Sequence, residues 1–169
     1  PVLFVGDRDS YAGELPEHLE KIVLPCEKDD TDSLFAVKEL LKRGYRSFAL
    51  YGFLGGSISH TIANIQTLLY LKKHGGEALL FHSDEIYEIL HDEKKHFSAR
   101  HGTFSLFSLS DTSVVSVLGA KYPLKRYRMK NDFPVGIDNV FSEQEKTSVE
   151  VHRGFVLIVY PDSGSISGS

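Results

Sequence analysis

The feature that most constrains the fold is a pair of glycines, Gly55 and Gly56, between a strand-like and a helix-like segment. Residues 47–51 form an apolar, β-prone run, and apolar residues recur at helical spacing over about residues 58–73. Because glycine has no Cβ atom, a ligand could approach the backbone here, and the start of the helix offers unpaired N–H groups that suit an anion such as phosphate. An ordinary tight turn that needs a positive φ explains the two glycines equally well.

Strand-like and helix-like segments alternate through the first half of the chain. Besides the pair already described, strands are predicted at residues 2–5, 22–24 and 78–81, and a helix from about residue 31 to Gly44. This alternation is typical of an α/β layer with right-handed connections between its strands. In open α/β sheets, ligands bind at the carboxyl ends of the strands.

The second half of the chain has strand patterns without helices between them. After about residue 90, strands are predicted at 103–109, 114–118, 147–151 and 155–160. We therefore expect antiparallel β structure. Turns are predicted at 111–113, 131–132 and 153–154, and the last of these would join the final two strands as a hairpin. Residues 163–169 are rich in glycine and serine and are expected to form a flexible tail.

Charge and cysteine content exclude several classes of protein. The formal net charge of −4 argues against a general grip on nucleic acid, so the basic cluster at residues 121–130 is interpreted as a solvated strand and turn. Cys26 is the only cysteine, which rules out an internal disulfide and a multi-cysteine zinc site. No apolar run approaches the ~20 residues that cross a bilayer, and the first residues show no signal-peptide pattern. We expect a soluble, cytoplasmic protein whose front end, which starts at Pro1 inside a strand-like run, is truncated.

Acidic residues follow two of the predicted strands. Asp7 and Asp9 come directly after the first strand, and Asp32 belongs to a group of four acids in residues 27–32 at the start of a helix. Taken alone, acids at a helix start are more commonly caps than ligands. Here they share the predicted carboxyl edge of the sheet with the Gly55–Gly56 turn, and hard oxygen ligands beside phosphate groups suit Mg²⁺.

Five short segments, in this order, resemble the motifs of the thiamine pyrophosphokinase family. They are GDRDS at 6–10, KDDTD at 28–32, the two glycines with His60 and Asn64, GAKYPL at 119–124 and GIDNVF at 136–141. The family patterns are GDxDS, KDxTD, GGRxDH followed by an asparagine, GxKYPL and GxSNxF. The resemblance covers nearly the whole chain.

This resemblance implies a fold and a reaction. The fold class is α/β, with a parallel Rossmann-like N-terminal layer followed by an antiparallel β-sandwich domain. Residues 1–90 would form the catalytic domain that binds ATP and Mg²⁺, and residues 91–162 the thiamine-binding domain. The family transfers a pyrophosphoryl group from ATP to thiamine, giving thiamine diphosphate and AMP. It works as a homodimer with active sites between the subunits, and neither nucleic acid nor a membrane is an expected partner.

The resemblance also assigns roles to individual residues. Asp7, Asp9 and Asp32 would be the catalytic acids that hold Mg²⁺. Ser59, Asp138 and Asn139 would bind thiamine. The residues expected around the ATP phosphates are Ser10, Lys28, Asp29, Thr31, Gly55, Gly56, Ser57, His60 and Asn64.

The chain departs from the family pattern at several positions. Ser57 and Ser59 stand where the family has arginine and aspartate, and Asp138 stands where serine is usual. Loss of an arginine that meets phosphate charge costs on the order of 10² to 10³ in rate. Arg8 brings a positive charge between Asp7 and Asp9. An alternative is therefore a catalytically weakened homologue that binds thiamine or a nucleotide. An unrelated Mg²⁺-dependent phosphotransferase or a purely structural α/β protein is a third.

Overall fold

The computed structural model of the chain describes residues 3–6, 20–23, 31–98 and 101–162. Within these ranges the helices are α1 (Asp32–Lys42) and α2 (Ile58–Lys73). The strands of the first half are β1 (Leu3–Gly6), β2 (Glu20–Val23), β3 (Ser47–Tyr51), β4 (Glu77–His82), β5 (Glu85–His91) and β6 (Lys94–Phe97). Those of the second half are β7 (Thr103–Ser108), β8 (Thr112–Leu118), β9 (Leu124–Lys130), β10 (Asn139–Val140), β11 (Thr147–Arg153) and β12 (Phe155–Pro161).

Three sheets organise these strands. A six-stranded sheet has the order β10-β7-β12-β5-β4-β3, and a four-stranded sheet has the order β6-β11-β8-β9. β1 and β2 form a separate parallel pair. In the six-stranded sheet β3 and β4 are parallel, whereas every other neighbouring pair is antiparallel.

The six-stranded sheet is covered on both faces, because successive side chains of a strand point to opposite sides. On β12, Val156 and Ile158 belong to a core cluster shared with β8 and β11 of the four-stranded sheet. Leu157, between them, packs instead in a second cluster with Val37 of α1 and Leu68 of α2. The molecule is thus a mixed α/β, sheet-rich fold. The four-stranded sheet packs on one face of the large sheet in a β-sandwich-like arrangement, and the two helices pack on the other face.

The two helices lie where the sequence predicts them. α2 has the predicted bounds, and Gly44, with φ +90°, follows the last turn of α1. The apolar stripe of α2 is only partly right, since Ile58 is 80% and Ile62 is 54% exposed. The parallel pairs β1–β2 and β3–β4 agree with the expected α/β alternation. The Rossmann-like layer itself, and the division at residue 90, stay predictions.

The predicted final hairpin is wrong. β11 pairs with β6 and β8 in the four-stranded sheet, whereas β12 pairs with β5 and β7 in the six-stranded sheet. Gly154, with φ +84°, joins them, so the chain crosses there from one sheet to the other. Alternation of apolar residues gives the strands but does not show which sheet each one joins.

Three described strands went unpredicted: β5, β6 and the two-residue β10. β5 and β6 cover residues in which charged and histidine side chains interrupt the apolar pattern. Both are nevertheless paired, β5 in the centre of the large sheet and β6 at the edge of the small one. The predicted flexible tail, residues 163–169, lies outside the described residues. Among the described residues, neither helix is long and apolar enough to span a membrane.

Candidate active site

A cavity of about 410 Å³ opens between the start of α1, the start of α2 and the turn that follows β3. Five of the predicted site residues line it: Thr31, Asp32, Gly56, His60 and Asn64. Both helices begin at this cavity, so their unpaired N–H groups and positive dipole ends favour an anion within it. The cavity therefore combines an anion-attracting wall with the Asp32 carboxylate.

The start of α1 is fixed by a capping hydrogen bond. The backbone N–H of Leu34 donates to Oγ1 of Thr31 at 3.2 Å. Thr31 is accordingly the N-cap residue, and Asp32 lies in the first helical turn, where the helix dipole stabilises a carboxylate. One lone pair of the Thr31 hydroxyl is thus used within the protein, and Asp32 supplies the acidic group of the cavity wall.

The start of α2 is built in the same way. The backbone N–H of His60 donates to Oγ of Ser57 at 3.3 Å, so Ser57 caps the helix. Gly55 has φ +98°, in the left-handed region that favours glycine, and a Cβ there would lie 3.1 Å from Cε1 of His82. Gly55 thus has the positive φ that a tight turn requires, as the sequence predicted for one of its two explanations. Gly56 instead faces the cavity, beside the His60 ring.

Asn64 lines the cavity and is bonded to the turn that follows β3. Its side chain is buried, and its amide N–H donates to the carbonyl oxygen of Phe53. This bond ties the turn after β3 to the second turn of α2. Asn64 therefore holds the cavity wall in place, besides lining the space predicted for a nucleotide.

The two motifs of the second half meet through Asn139. Its Oδ1 accepts the Tyr122 N–H at 3.1 Å, and its Nδ2 donates to the Tyr122 carbonyl oxygen at 2.8 Å. Asn139 is buried, whereas the neighbouring Asp138 is exposed and has φ +54°. A second cavity of about 620 Å³ lies beside these hydrogen bonds, and Lys121 and Phe141 are among the residues that line it.

The predicted site residues thus fall into separate groups. Of the residues predicted around ATP, Thr31, Gly56, His60 and Asn64 line the 410 Å³ cavity. Neither Asp138 nor Asn139 lines the second cavity, although the next residue, Val140, does. Ser57 and Ser59 are exposed at the start of α2. The predicted residues Asp7, Asp9, Ser10, Lys28 and Asp29 lie outside the described residues.

Sequence reasoning missed some residues of the site. Ser33 and Phe53 line the first cavity, and the ring of His82 lies against Gly55. His82 ends β4, a strand parallel to β3. The rule that ligands bind at the carboxyl ends of parallel strands, applied to β4, would have pointed to His82. No sequence motif marks Phe53 as a residue of the site.

Sequence comparison agrees with this geometry. Residues 1–80 match the family described as "Thiamin pyrophosphokinase, catalytic domain", and residues 87–156 match "Thiamin pyrophosphokinase, vitamin B1 binding domain". The chain belongs to the thiamine pyrophosphokinase family. Both parts of a thiamine pyrophosphokinase are thus present. The comparisons confirm the predicted function: a transferase of thiamine diphosphate biosynthesis that uses ATP as co-substrate.

Solved structures of thiamine pyrophosphokinases share the fold. The Bacillus subtilis protein is 20% identical, with a TM-score of 0.80 over 96% of this chain and 79% of that one. The Geobacillus thermodenitrificans protein is 21% identical, with a TM-score of 0.75 over 99% and 80% of the two chains. The Candida albicans protein is 16% identical, with a TM-score of 0.77 over 96% and 73%. No curated protein sequence matches the chain.

Proposed function

We propose that this chain transfers the β,γ-pyrophosphoryl group of ATP to the hydroxyl group of thiamine, with the triphosphate bound in the cavity between α1 and α2. One observation carries the proposal: residues from two separate motifs, Asp32 and Thr31 on one side and Gly56, His60 and Asn64 on the other, line one cavity of about 410 Å³. Such transfer depends mainly on positioning and on neutralising phosphate charge.

Magnesium fits the chemistry of this cavity. Mg²⁺ prefers one or two protein carboxylates, with substrate phosphates completing its shell. Asp32 supplies such a carboxylate, and Asp7 and Asp9 are assigned as the others by the family motif. Among the described residues, no three acids, histidines or cysteines form a ready-made metal cluster. When bound, the metal would neutralise phosphate charge.

The protein's own groups then perform the transfer. The N-termini of α1 and α2, the Gly56 backbone and the His60 side chain hold the phosphates, together with Lys28 from the family motif. The thiamine hydroxyl oxygen forms a bond to the β-phosphorus while the bond from that phosphorus to the α,β-bridging oxygen breaks, and AMP leaves. One of the acidic residues accepts the hydroxyl proton.

A homodimer completes the site in this proposal. Large apolar side chains are exposed around the start of α2, where Tyr51 is 69% and Ile58 is 80% exposed. An apolar surface of this kind beside an open cavity suits coverage by a second subunit. The β1–β2 and β3–β4 pairs would belong to one Rossmann-like layer that binds ATP. The cytoplasmic location stays a prediction.

The test is thiamine-dependent formation of AMP from ATP in the presence of Mg²⁺. We expect Asp32→Asn to lower turnover by about 10² or more, because a metal-binding carboxylate becomes a neutral amide. Asp132→Asn, in an exposed turn, is the matched control and should keep full turnover. Circular dichroism checks that both variants fold. Full activity of Asp32→Asn would refute the assignment.

One observation favours the weakened homologue as a second candidate. Ser57 replaces the family's arginine, and its hydroxyl accepts the His60 N–H as a helix cap instead of offering a positive charge. Calorimetric titration of thiamine, run beside the AMP assay, separates the two candidates. Binding heat without AMP indicates the binding homologue, whereas AMP formation indicates the enzyme.

A further inference from the structure

We infer a second anion site, distinct from the proposed nucleotide cavity, at the end of the sandwich where the chain crosses between its sheets. A groove of about 390 Å³ there is lined by Arg128 and Arg153, by Ser110 and Thr112, and by Asp111 and Gly154. None of these residues lines the cavity between α1 and α2. The ligand class is a phosphate group, free or as an ester.

Strand register brings the two arginines to one face. Arg128 on β9 and Arg153 on β11 both pair with Val114, from opposite sides of β8. Residues directly opposite each other in neighbouring strands point to the same face of a sheet, and strands lie ~4.8 Å apart. The two Cα atoms are therefore roughly 10 Å apart across β8, a span that two arginine side chains can close around one phosphate or diphosphate.

A β-bulge puts Arg153 in this position. Val151 pairs with Val115, so regular register would place His152 opposite Val114. The register instead shifts between Val151 and Arg153, and Arg153 takes that place. Bulges re-aim side chains and are common beside binding sites. The irregularity thus turns a guanidinium group toward the groove.

The floor of the groove is rigid. Oγ of Ser110 accepts the Phe155 N–H at 3.0 Å, and Oγ of Ser113 donates to the Phe155 carbonyl oxygen at 3.1 Å. A Cβ at Gly154 would lie only 2.6 Å from Oγ of Ser113, so the two crossing segments approach as closely as glycine permits. Arg153 is next to this close crossing, and Arg128 is on a strand paired with β8, so both arginines project from ordered backbone. This lowers the entropy that a ligand must overcome.

The charge of the groove is unbalanced. Arg43, on α1, has an ion pair with Glu39 at 3.0 Å. Within residues 31–98 and 101–162, neither Arg128 nor Arg153 has such a pair. Asp111 contributes one carboxylate against two guanidinium groups. Guanidinium groups bind phosphate through paired hydrogen bonds, and the Thr112 hydroxyl in the groove can add another donor.

The experiment is a titration of the ¹⁵N-labelled full chain with inorganic phosphate at constant ionic strength, followed by amide shifts. We expect saturable shifts at Thr112 and Gly154, and a dissociation constant at least about tenfold weaker in Arg128→Gln and in Arg153→Gln, the worth of one charge-assisted contact. The matched control is Arg43→Gln, which should leave these shifts and their midpoint unchanged. Shifts at Gly56 and His60 report the nucleotide cavity separately, so failure of either site is seen independently.

Three outcomes are informative. Weakening in either arginine variant, with the dispersed spectrum of a folded chain, supports the site. The titration is then repeated with thiamine diphosphate. A lower midpoint concentration than that of inorganic phosphate indicates a site for a phosphate ester, and a lower midpoint for inorganic phosphate indicates a site for free phosphate; either result supports a phosphate site. An absence of saturable shifts at Thr112 and Gly154, or equal dissociation constants in the wild type and both variants, overturns the inference.

Discussion

Three side chains hold the proposed nucleotide cavity together through hydrogen bonds to the backbone. Thr31 and Ser57 cap the two helices that meet there, and Asn64 binds the Phe53 carbonyl group. The sequence predicted these residue types at the site, because their motifs resemble those of a family. The capping role of Thr31 also follows from the sequence, because Thr31 or Asp30 precedes the predicted helix. The partner of Asn64 could not be predicted, since it depends on how the second helix and the turn come together.

Restoring the family's arginine at residue 57 tests the electrostatic part of this picture. We expect Ser57→Arg to raise turnover by about tenfold or more, because a cation would meet the developing phosphate charge. The same change removes the N-cap of α2 and should cost about 1 kcal/mol of unfolding free energy. AMP assays and urea unfolding measure the two effects. Ser57→Ala, which removes the cap without adding charge, is the control, and equal turnover in both variants would contradict the prediction.

Tyr87 gives a prediction about pH. Burial, followed by a 2.7 Å hydrogen bond to Glu85 and the charge of that carboxylate, raises the pKa of Tyr87 from 10.0 to about 12. The fold therefore favours the neutral phenol. This contribution to stability is complete below the unfolded pKa of 10.0 and is lost as the pH rises through about 12.

We expect one tyrosine to ionise late when phenolate absorbance is followed on raising the pH. In Tyr87→Phe the late step should be missing, because the titrating group has been removed. The variant should also lose less stability than the wild type between pH 10 and pH 12. If the late step persists in Tyr87→Phe, another tyrosine is responsible.

At the scale of elements, the helices were predictable and the sheet membership of the strands was not. α1 and α2 follow from apolar periodicity and capping residues. Charged residues interrupt the apolar pattern of β5 and β6, which prevented their prediction, and in the structure such residues form ion pairs. Lys95 in β6 has an ion pair of 2.6 Å with Glu88 in β5. Lys72 in α2 has ion pairs of 2.6 Å with Glu77 in β4 and with Glu93, in the turn between β5 and β6. Burial lowers the pKa of Lys72, but hydrogen bonds to the two carboxylates and their charges outweigh burial and raise it.

The crossing at Gly154 tests the sheet assignment. We expect Gly154→Ala to cost about 2–4 kcal/mol of unfolding free energy, because alanine is strained at φ +84° and its Cβ would clash with Ser113. Gly75→Ala is the matched control, since Gly75 has φ +75° but open space around it, and it should cost only about 1 kcal/mol. Urea unfolding of both variants gives the difference. Equal costs would mean that the close contact contributes nothing.

At the scale of the whole molecule, one sheet connects the two matched family domains. β3 lies within residues 1–80 and β4 begins there. β7 lies within residues 87–156, and β5 and β12 overlap the two ends of that range. This continuity could not be predicted, because alternation of strands and helices is a local pattern, whereas strand order is a property of the assembled fold. Family resemblance therefore predicted the parts better than their connection.

The strand order has a consequence for how the two substrates meet. β3, which leads into the Gly56 turn, and β10, which holds Asn139, are the opposite edges of the six-stranded sheet. Five strand spacings of ~4.8 Å separate them by ~24 Å, too far for a phosphoryl group to pass directly within one subunit. In the proposed homodimer, the β3 edge of one copy would therefore work with the β10 edge of the other.

Two inactive variants should consequently rescue each other. Asp32→Asn disables one edge, and Asp138→Arg, whose charge repels the cationic thiamine ring, disables the other. When the two are unfolded together and refolded, half of the dimers are mixed and each mixed dimer has one intact pair of edges, so about a quarter of wild-type turnover should return. Each variant refolded alone is the control. Without rescue, both halves of each active site would have to come from one chain.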